Sequence, residues 1–380
     1  MPVIGVVKET LAGETRVALI PQNVGQLVRD KHSVIVQKGA GESAFFSDDQ
    51  YEAAGATIVP DATAVLGRAD LLVKVHPPTV HEVTCMRSGS IYIGFLSPAS
   101  ARAVVRSLAQ QSVTAFAMEY VPRISRAQSM DALSSMATVA GYRAVLIAAQ
   151  TIGKMFPLLM TAAGTVPPAT VLVLGAGVAG LQAIATAKRL GARVEAFDPR
   201  PAVAEQVRSL GATFVQMELP KEDVETAGGY AKALSAEFLR KEQEAIASRL
   251  PKVHVVITTA QVFGQKAPIL MTSDMVALMP RGGVIVDLAS ESGGNCELTE
   301  TGKTIDRHGI TIVGAVNVPA TVPIDASQLY SRNIYNLLKH MYPKVDTPTE
   351  PEDEILKAAC LTRDGAIVND AVRALVEQGS

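Results

Sequence analysis

The hexapeptide GAGVAG, Gly175 to Gly180, closes a run of strand-type residues (TVLVL) and opens an alanine-rich helical stretch. In such a G-x-G-x-x-G turn the first glycine allows the sharp bend and the second lets a pyrophosphate come close to the backbone. The third lets helix and strand pack tightly. Here these are Gly175, Gly177 and Gly180, with Val178 beginning the helix whose N-terminal amides would face the phosphates. The next strand-type run ends at Asp198, at about the twenty-residue spacing expected of the acidic residue that binds the adenine ribose. A carboxylate there accepts hydrogen bonds from the ribose hydroxyls and repels a 2′-phosphate, which favours NAD(H) over NADP(H). Arg200, just past Pro199, keeps NADP(H) as the lesser option. Farther on, Thr258, Thr259 and Ala260 fall at the carboxyl end of another apolar run, where open α/β sheets bind ligands.

A second concentration of polar groups is RISRAQSMDALSS, Arg123 to Ser135, directly ahead of a long apolar segment. It gathers two arginines, a glutamine, an aspartate and four serines. On local chemistry alone, Arg123 and Asp131 read as an ion pair, and Ser129 or Asp131 as the cap of the helix that follows.

Other chemistries find little support. A net charge of −2 with scattered lysines and arginines offers no footprint for a phosphate backbone, so nucleic acid is set aside. Cys85, Cys296 and Cys360 are odd in number and far apart, which argues against a disulfide framework and fits a reducing compartment. His81 and Cys85 lack a second ligand pair, so no metal is expected. The first residues lack a signal-peptide pattern, which points to the cytosol. The longest apolar segment, VAGYRAVLIAAQTIGKMFPLLM, is interrupted by Arg143, Gln150 and Lys154, and so reads as a buried helix with no direct membrane insertion.

The elements that must carry these residues alternate. VIGVV, SVIVQKG, DLLVKV, SIYIGFL and TAFAME are strand-type runs separated by helical stretches, the pattern of βαβ units on a parallel sheet. A second series runs through TVLVLGAG, RVEAFDP, TFVQM, VHVVITTA, GGVIVDL and ITIVGAV, apolar throughout as strands covered on both faces should be. The fold class is α/β: two Rossmann-like parallel-sheet domains separated by a cleft and linked by long helices. One helix spans about Met136 to Met160. The expected domains are 1–136 with the segment 319–380 packed back on it, and 137–318.

Over essentially its whole length the chain resembles the NAD(H)-binding component of proton-translocating NAD(P) transhydrogenase, a family related to alanine dehydrogenase. The stretches that carry the resemblance are KETLAGETRVALIP, GAGVAGLQAIATAKRLGARVEAFDPR, VDLASESGGNCE, CLTRDGAIV and, most specifically, RISRAQSMDALSS. The resemblance implies that Arg123, Asp131 and Ser134 fix the nicotinamide carboxamide and nearby ribose of NAD(H). Gln128 would bridge toward NADP(H) on a partner domain. It implies further that Tyr230, beside Gly228 and Gly229, closes a loop over the nucleotide, and that Glu242 and Gln261 contribute to binding. The amino-acid dehydrogenases keep a histidine and an aspartate where this chain has Ser97 and Glu291. Arg16 and Lys74 persist without an assigned role. A hydride passed directly between two nicotinamides needs no general acid or base, whereas amino-acid oxidation does.

The expected protein is thus a homodimer of the Si/Re-specific, proton-translocating type, active only with its partners. Those are a membrane-spanning proton-channel subunit and an NADP(H)-binding domain, and the chain would lie peripherally on the cytoplasmic face of the inner membrane. Two rivals remain: an NAD-dependent, alanine-type amino-acid dehydrogenase, and a non-catalytic NAD(H)-sensing module.

Overall fold

A computed structural model of the chain describes residues 2–216, 235–261, 265–343, 349 and 352–377. It divides into two compact units, Met1–Met136 with Ala320–Ser380, and Ala137–Pro319.

In the first unit six strands pair in parallel: β1 (Val3–Val6), β2 (Ser33–Gln37), β3 (Thr57–Val59), β4 (Leu71–Val73), β5 (Ile91–Gly94) and β6 (Thr114–Ala117). Their spatial order is β6-β5-β4-β1-β2-β3. The chain therefore leaves β1 in one direction and β4 in the other, and this reversal opens a crevice at their carboxyl ends. Helices pack on the sheet through short capped segments. Thr79 and Glu82 form a capping box on helix Val80–Cys85, the Thr79 hydroxyl accepting from the Glu82 amide and the Glu82 carboxylate from the Thr79 amide.

The second unit begins within helix Ala132–Thr151, whose Ala144, Val145 and Ala148 lie fully buried in that unit's core. By length and composition alone this helix could cross a membrane. It stops well short of Met160. Gly153 and Pro157 break it, and the residues beyond form a two-stranded antiparallel hairpin, β7 (Leu159–Thr161) and β8 (Gly164–Val166), turning at Ala162 and Ala163 into Gly164, which has φ of 129°. Continuous apolarity disguised this break in the sequence.

Seven strands then build the second sheet: β9 (Thr170–Leu174), β10 (Arg193–Phe197), β11 (Thr213–Phe214), β12 (Val255–Thr258), β13 (Val284–Asp287), β14 (Thr304–Arg307) and β15 (Ile310–Gly314). The order is β11-β10-β9-β12-β13-β15-β14, parallel except for β14 at the edge. Val171 of β9 sits between Val194 of β10 and Val255 of β12. All five residues of β9 are buried, and each of its fully covered Val and Leu side chains contributes roughly 1.5–3 kcal/mol. The sheet's topological switch lies between β9 and β12.

Both sheets are the parallel, Rossmann-like sheets that the alternating pattern implied. The additions are at the edges: the last strands, β16 (Cys360–Arg363) and β17 (Ala366–Ile367), extend the first sheet antiparallel beyond β6.

Candidate functional site

The glycine turn leaves the carboxyl end of β9, at the switch point. Gly175 has φ of 96°, and a Cβ there would lie 2.7 Å from the Thr259 hydroxyl oxygen. At Gly180 a Cβ would lie 1.8 Å from the Gly175 carbonyl oxygen, so only glycine lets the helix sit this close to the strand. Gly177 differs: a Cβ there would meet nothing within 4 Å. Gly177 is the N-cap of helix Val178–Arg189, and no side chain among the described residues caps it. First-turn amides of a helix lack intrahelical partners and attract anions. An open cradle in front of them fits a dinucleotide pyrophosphate. The third close approach escapes the motif: in helix Ala132–Thr151, a Cβ on Gly141 would lie 2.0 Å from the Ala179 carbonyl oxygen, so two helices meet at that glycine.

Asp198 follows β10 and is buried. Its carboxylate accepts from the Ala176 amide at 2.7 Å, which fixes the glycine turn, and from the Arg200 amide at 2.9 Å. The Arg200 guanidinium adds Nε and Nη2 bonds, both at 2.9 Å. A carboxylate offers about four acceptor positions, and this one is saturated by the protein. Ribose hydroxyls would have to replace the guanidinium bonds, and Arg200 is committed to Asp198 rather than presented to a 2′-phosphate. Pro199 forms the corner between them. Glu242, on helix Ala236–Ala247, is buried, and burial together with the nearby Asp198 charge pushes its carboxyl up to about 8. It is therefore largely protonated at neutral pH.

Across the switch point, the Thr259 hydroxyl donates to the Gly175 carbonyl at 2.9 Å. Gln261 is exposed, its amide donating to the Leu288 carbonyl at 3.1 Å. Two residues not singled out from sequence hold this segment. Asp287, fully buried at the end of β13, accepts from the Thr258 and Thr299 hydroxyls and from the amides of Ala289, Asn295 and Cys296. Asn295 in turn brackets Ala260, accepting from its amide at 3.0 Å and donating to its carbonyl at 2.8 Å. The available signal was Asp287 within GGVIVDL, an aspartate at the mouth of an otherwise apolar strand.

The polar cassette belongs to the first unit. Ser125–Met130 is a 3₁₀ helix with Ala127 and Met130 buried as pegs and Gln128 exposed. Asp131 is the cap of helix Ala132–Thr151, accepting from the Ser134 amide at 2.8 Å and its hydroxyl at 2.6 Å. Arg123 approaches Asp131 at 4.0 Å, the loose edge of an ion pair. The local readings of pair and cap therefore both hold, with Asp131 rather than Ser129 as the cap.

Charged side chains of the first unit gather in the segments that follow β1 and β4. Glu9 accepts from the Val75 amide at 2.6 Å. Arg16 chelates Glu14 through Nε at 2.8 Å and Nη2 at 2.7 Å, and Glu14 also meets His76 Nε2 at 2.6 Å. Burial works to raise the Glu14 carboxyl, but the Arg16 and His76 bonds outweigh it and hold it far below the usual range. Lys74 is buried and bonded to Glu82 at 2.8 Å. Arg16 and Lys74 thus have carboxylate partners within their own unit.

Two family models, described as alanine dehydrogenase/PNT N-terminal domain and C-terminal domain, match residues 5–140 and 144–370. The chain belongs to the alanine dehydrogenase/PNT family. It is 49% identical to the first portion of the NAD(P) transhydrogenase subunit alpha of Rhodospirillum rubrum, covering 97% of this chain and 98% of that relative. It is 30% identical to alanine dehydrogenase of Bacillus subtilis, over 97% and 93% of the two chains. Among solved structures, transhydrogenase from Sinorhizobium meliloti superposes with a TM-score of 0.87 at 42% identity, covering 96% of this chain and all of that one. The transhydrogenase branch of the alanine dehydrogenase/PNT family is thus the nearer, and the resemblance read from the sequence holds.

Where the sequence resemblance places the dehydrogenase histidine and aspartate, this chain carries a hydroxyl, Ser97, and a longer carboxylate, Glu291. Ser97 stands in left-handed backbone, φ of 44°, its amide donating to Glu119 at 2.6 Å. Burial raises the Glu119 carboxyl, opposed by backbone amide bonds from its own residue, Ser97 and Leu96. Glu291 accepts from the Asn317 amide at 3.2 Å. Tyr230, with Gly228 and Gly229, lies outside the described residues.

Proposed function

We propose that this chain is the NAD(H)-binding component of a proton-translocating NAD(P) transhydrogenase. The observation that carries the nucleotide site is the uncapped helix N-terminus at Gly177, with open space where a side chain would stand, beside the buried Asp198. A dinucleotide bound there supplies the hydride. Gly175, Gly177, Val178 and Gly180 would hold the pyrophosphate. Asp198, Pro199, Arg200 and Glu242 would serve the adenosine end, with Thr259, Ala260 and Gln261 along the crossing strand. In the cassette, Arg123, Asp131 and Ser134 fix the nicotinamide end. Gln128 reaches toward NADP(H) on a partner domain, and Tyr230 seals the site from water.

Reduction of NADP by NADH moves one hydride and needs no acid or base, so the protein's task is orientation and exclusion of water. Ser97 and Glu291, in place of the dehydrogenase histidine and aspartate, support this reading over amino-acid oxidation. So does the Arg16–Glu14 chelate, which occupies the cation that a carboxylate substrate would require. The dehydrogenase reading has one observation on its side, the His76–Glu14 contact, which resembles an oriented base.

Coupling to protons falls to a membrane-spanning partner subunit, with this chain peripheral on the cytoplasmic face of the inner membrane, and the hydride passes with Si/Re specificity. A homodimer is supported by the β7–β8 hairpin. An isolated two-stranded hairpin is marginal in water, yet this one carries Met160 at 74% and neighbouring Leu158 at 54% exposure. Nucleotide titration tests the assignment: the isolated chain should bind NADH much more tightly than NADPH and leave alanine plus NAD unchanged. Tighter NADPH binding, or alanine turnover, would overturn it.

A further inference from the structure

Resting on the transhydrogenase reading of the cassette, we propose that Asn333 and Asn336 are positioning residues for hydride transfer, acting through the Ser129 carbonyl to fix the turn that presents Gln128. Both lie on helix Pro323–Met341, three residues apart and so on one face. Each donates its side-chain amide to the same carbonyl oxygen, at 3.0 Å in both cases. That carbonyl belongs to the residue after Gln128, near the end of the 3₁₀ helix, where the chain bends at Asp131 before helix Ala132–Thr151 starts. Two amide donors saturate its two lone pairs.

Gln128 is exposed, and its side chain makes no hydrogen bond among the described residues, so its placement depends on its backbone. Ala127 and Met130 stop the turn from sliding, because both are buried. They do not fix its rotation. The two amides do, by pinning a polar atom whose direction is set by the peptide plane. Arg126 adds only loose, exposed contacts with Asp353 and Glu354.

Asn333 does more than pack. It is 5% exposed, and its Oδ1 is buried without a donor among the described residues. An unsatisfied buried amide oxygen is a desolvation cost that leucine, of nearly the same shape, would not incur. A position serving only to stabilise the helix interface would be better filled by the apolar side chain. Asparagine is the residue that places an N–H on Ser129.

The test uses the full chain mixed with a transhydrogenase NADP(H)-binding domain. Single-turnover hydride transfer, NADH dissociation constant and melting temperature are read for wild type, Asn333→Leu, Asn336→Ala and the double variant. Displacement of a reacting group by about 1 Å costs up to about 100-fold in rate. The expected result is transfer slowed roughly 10-fold in each single variant and toward 100-fold in the double. NADH affinity should hold within about 2-fold, and Asn333→Leu should melt no lower than wild type. An unchanged transfer rate in the double variant, or a rate that falls only in step with melting temperature or NADH affinity, would overturn the proposal. Absence of transfer by the wild-type mixture would instead overturn the transhydrogenase reading on which it rests.

Discussion

Gly177→Ala separates binding from folding at the dinucleotide turn. Gly177 has φ of −76° and ψ of −166°, extended backbone that alanine adopts freely, and its Cβ would meet no atom within 4 Å. Alanine restricts the unfolded chain, a gain of about 0.4–1 kcal/mol, but is a poorer N-cap than glycine by a comparable roughly 0.5–1 kcal/mol. The two offset, and melting should move by no more than about 2–4 °C. A pyrophosphate approaching the helix amides meets the new methyl and loses at least one charge-assisted hydrogen bond. Such a bond contributes about 1.5–3 kcal/mol, so the NADH dissociation constant should rise roughly 10- to 150-fold. The chain contains no tryptophan, so bound nucleotide can be followed by NADH fluorescence without an indole background. Affinity within about 2-fold of wild type, in a variant that melts normally, would refute the placement of the phosphates at this turn.

Gly180→Ala should behave in the opposite way, because its Cβ would lie 1.8 Å from the Gly175 carbonyl; thermal melting and solubility should both fall, and a variant that melts like wild type would contradict the close packing. Glu242→Gln tests the raised carboxyl. In the folded chain Glu242 keeps its proton to about pH 8, whereas in the unfolded chain it releases it near 4.5, so wild-type stability falls as pH rises between those values. From pH 6 to 8 the loss is on the order of 2–3 kcal/mol; urea midpoints should show that slope in wild type and a flatter one in the variant, and equal slopes would count against it. Gln128→Asn shortens the side chain by one methylene and should slow hydride transfer about 10-fold or more with NADH affinity unchanged; parallel loss of both would move Gln128 out of the gap between nucleotides.

The glycine turn was legible because its chemistry is local: three glycines, a strand and a helix are written within one short segment. The alternation of apolar runs likewise predicted both sheets, since strands covered on two faces have few polar positions. Part of what could not be read depends on residues distant in sequence. Asp287 and Asn295 are ordinary in isolation and acquire their roles only when β12 and β13 pair. The saturation of Asp198 by Arg200 is close in sequence but needs the geometry of the corner at Pro199. β3 has two apolar residues and β14 one, so neither makes an apolar run of the kind that marks the other strands. The hairpin was missed because Leu158, Leu159 and Met160 continue the apolar character of the helix, although Gly153 and Pro157 already marked its end.

The decisive measurement is hydride exchange in reconstitution: the purified chain mixed with an NADP(H)-binding transhydrogenase domain, following transfer between NAD(H) and NADP(H) analogues, with alanine plus NAD as the control. Transfer should occur only when both proteins are present, with no turnover of alanine by either. Alanine oxidation by this chain alone would contradict the transhydrogenase reading, and would direct attention to His76 and Glu14 as the acid/base pair of a dehydrogenase.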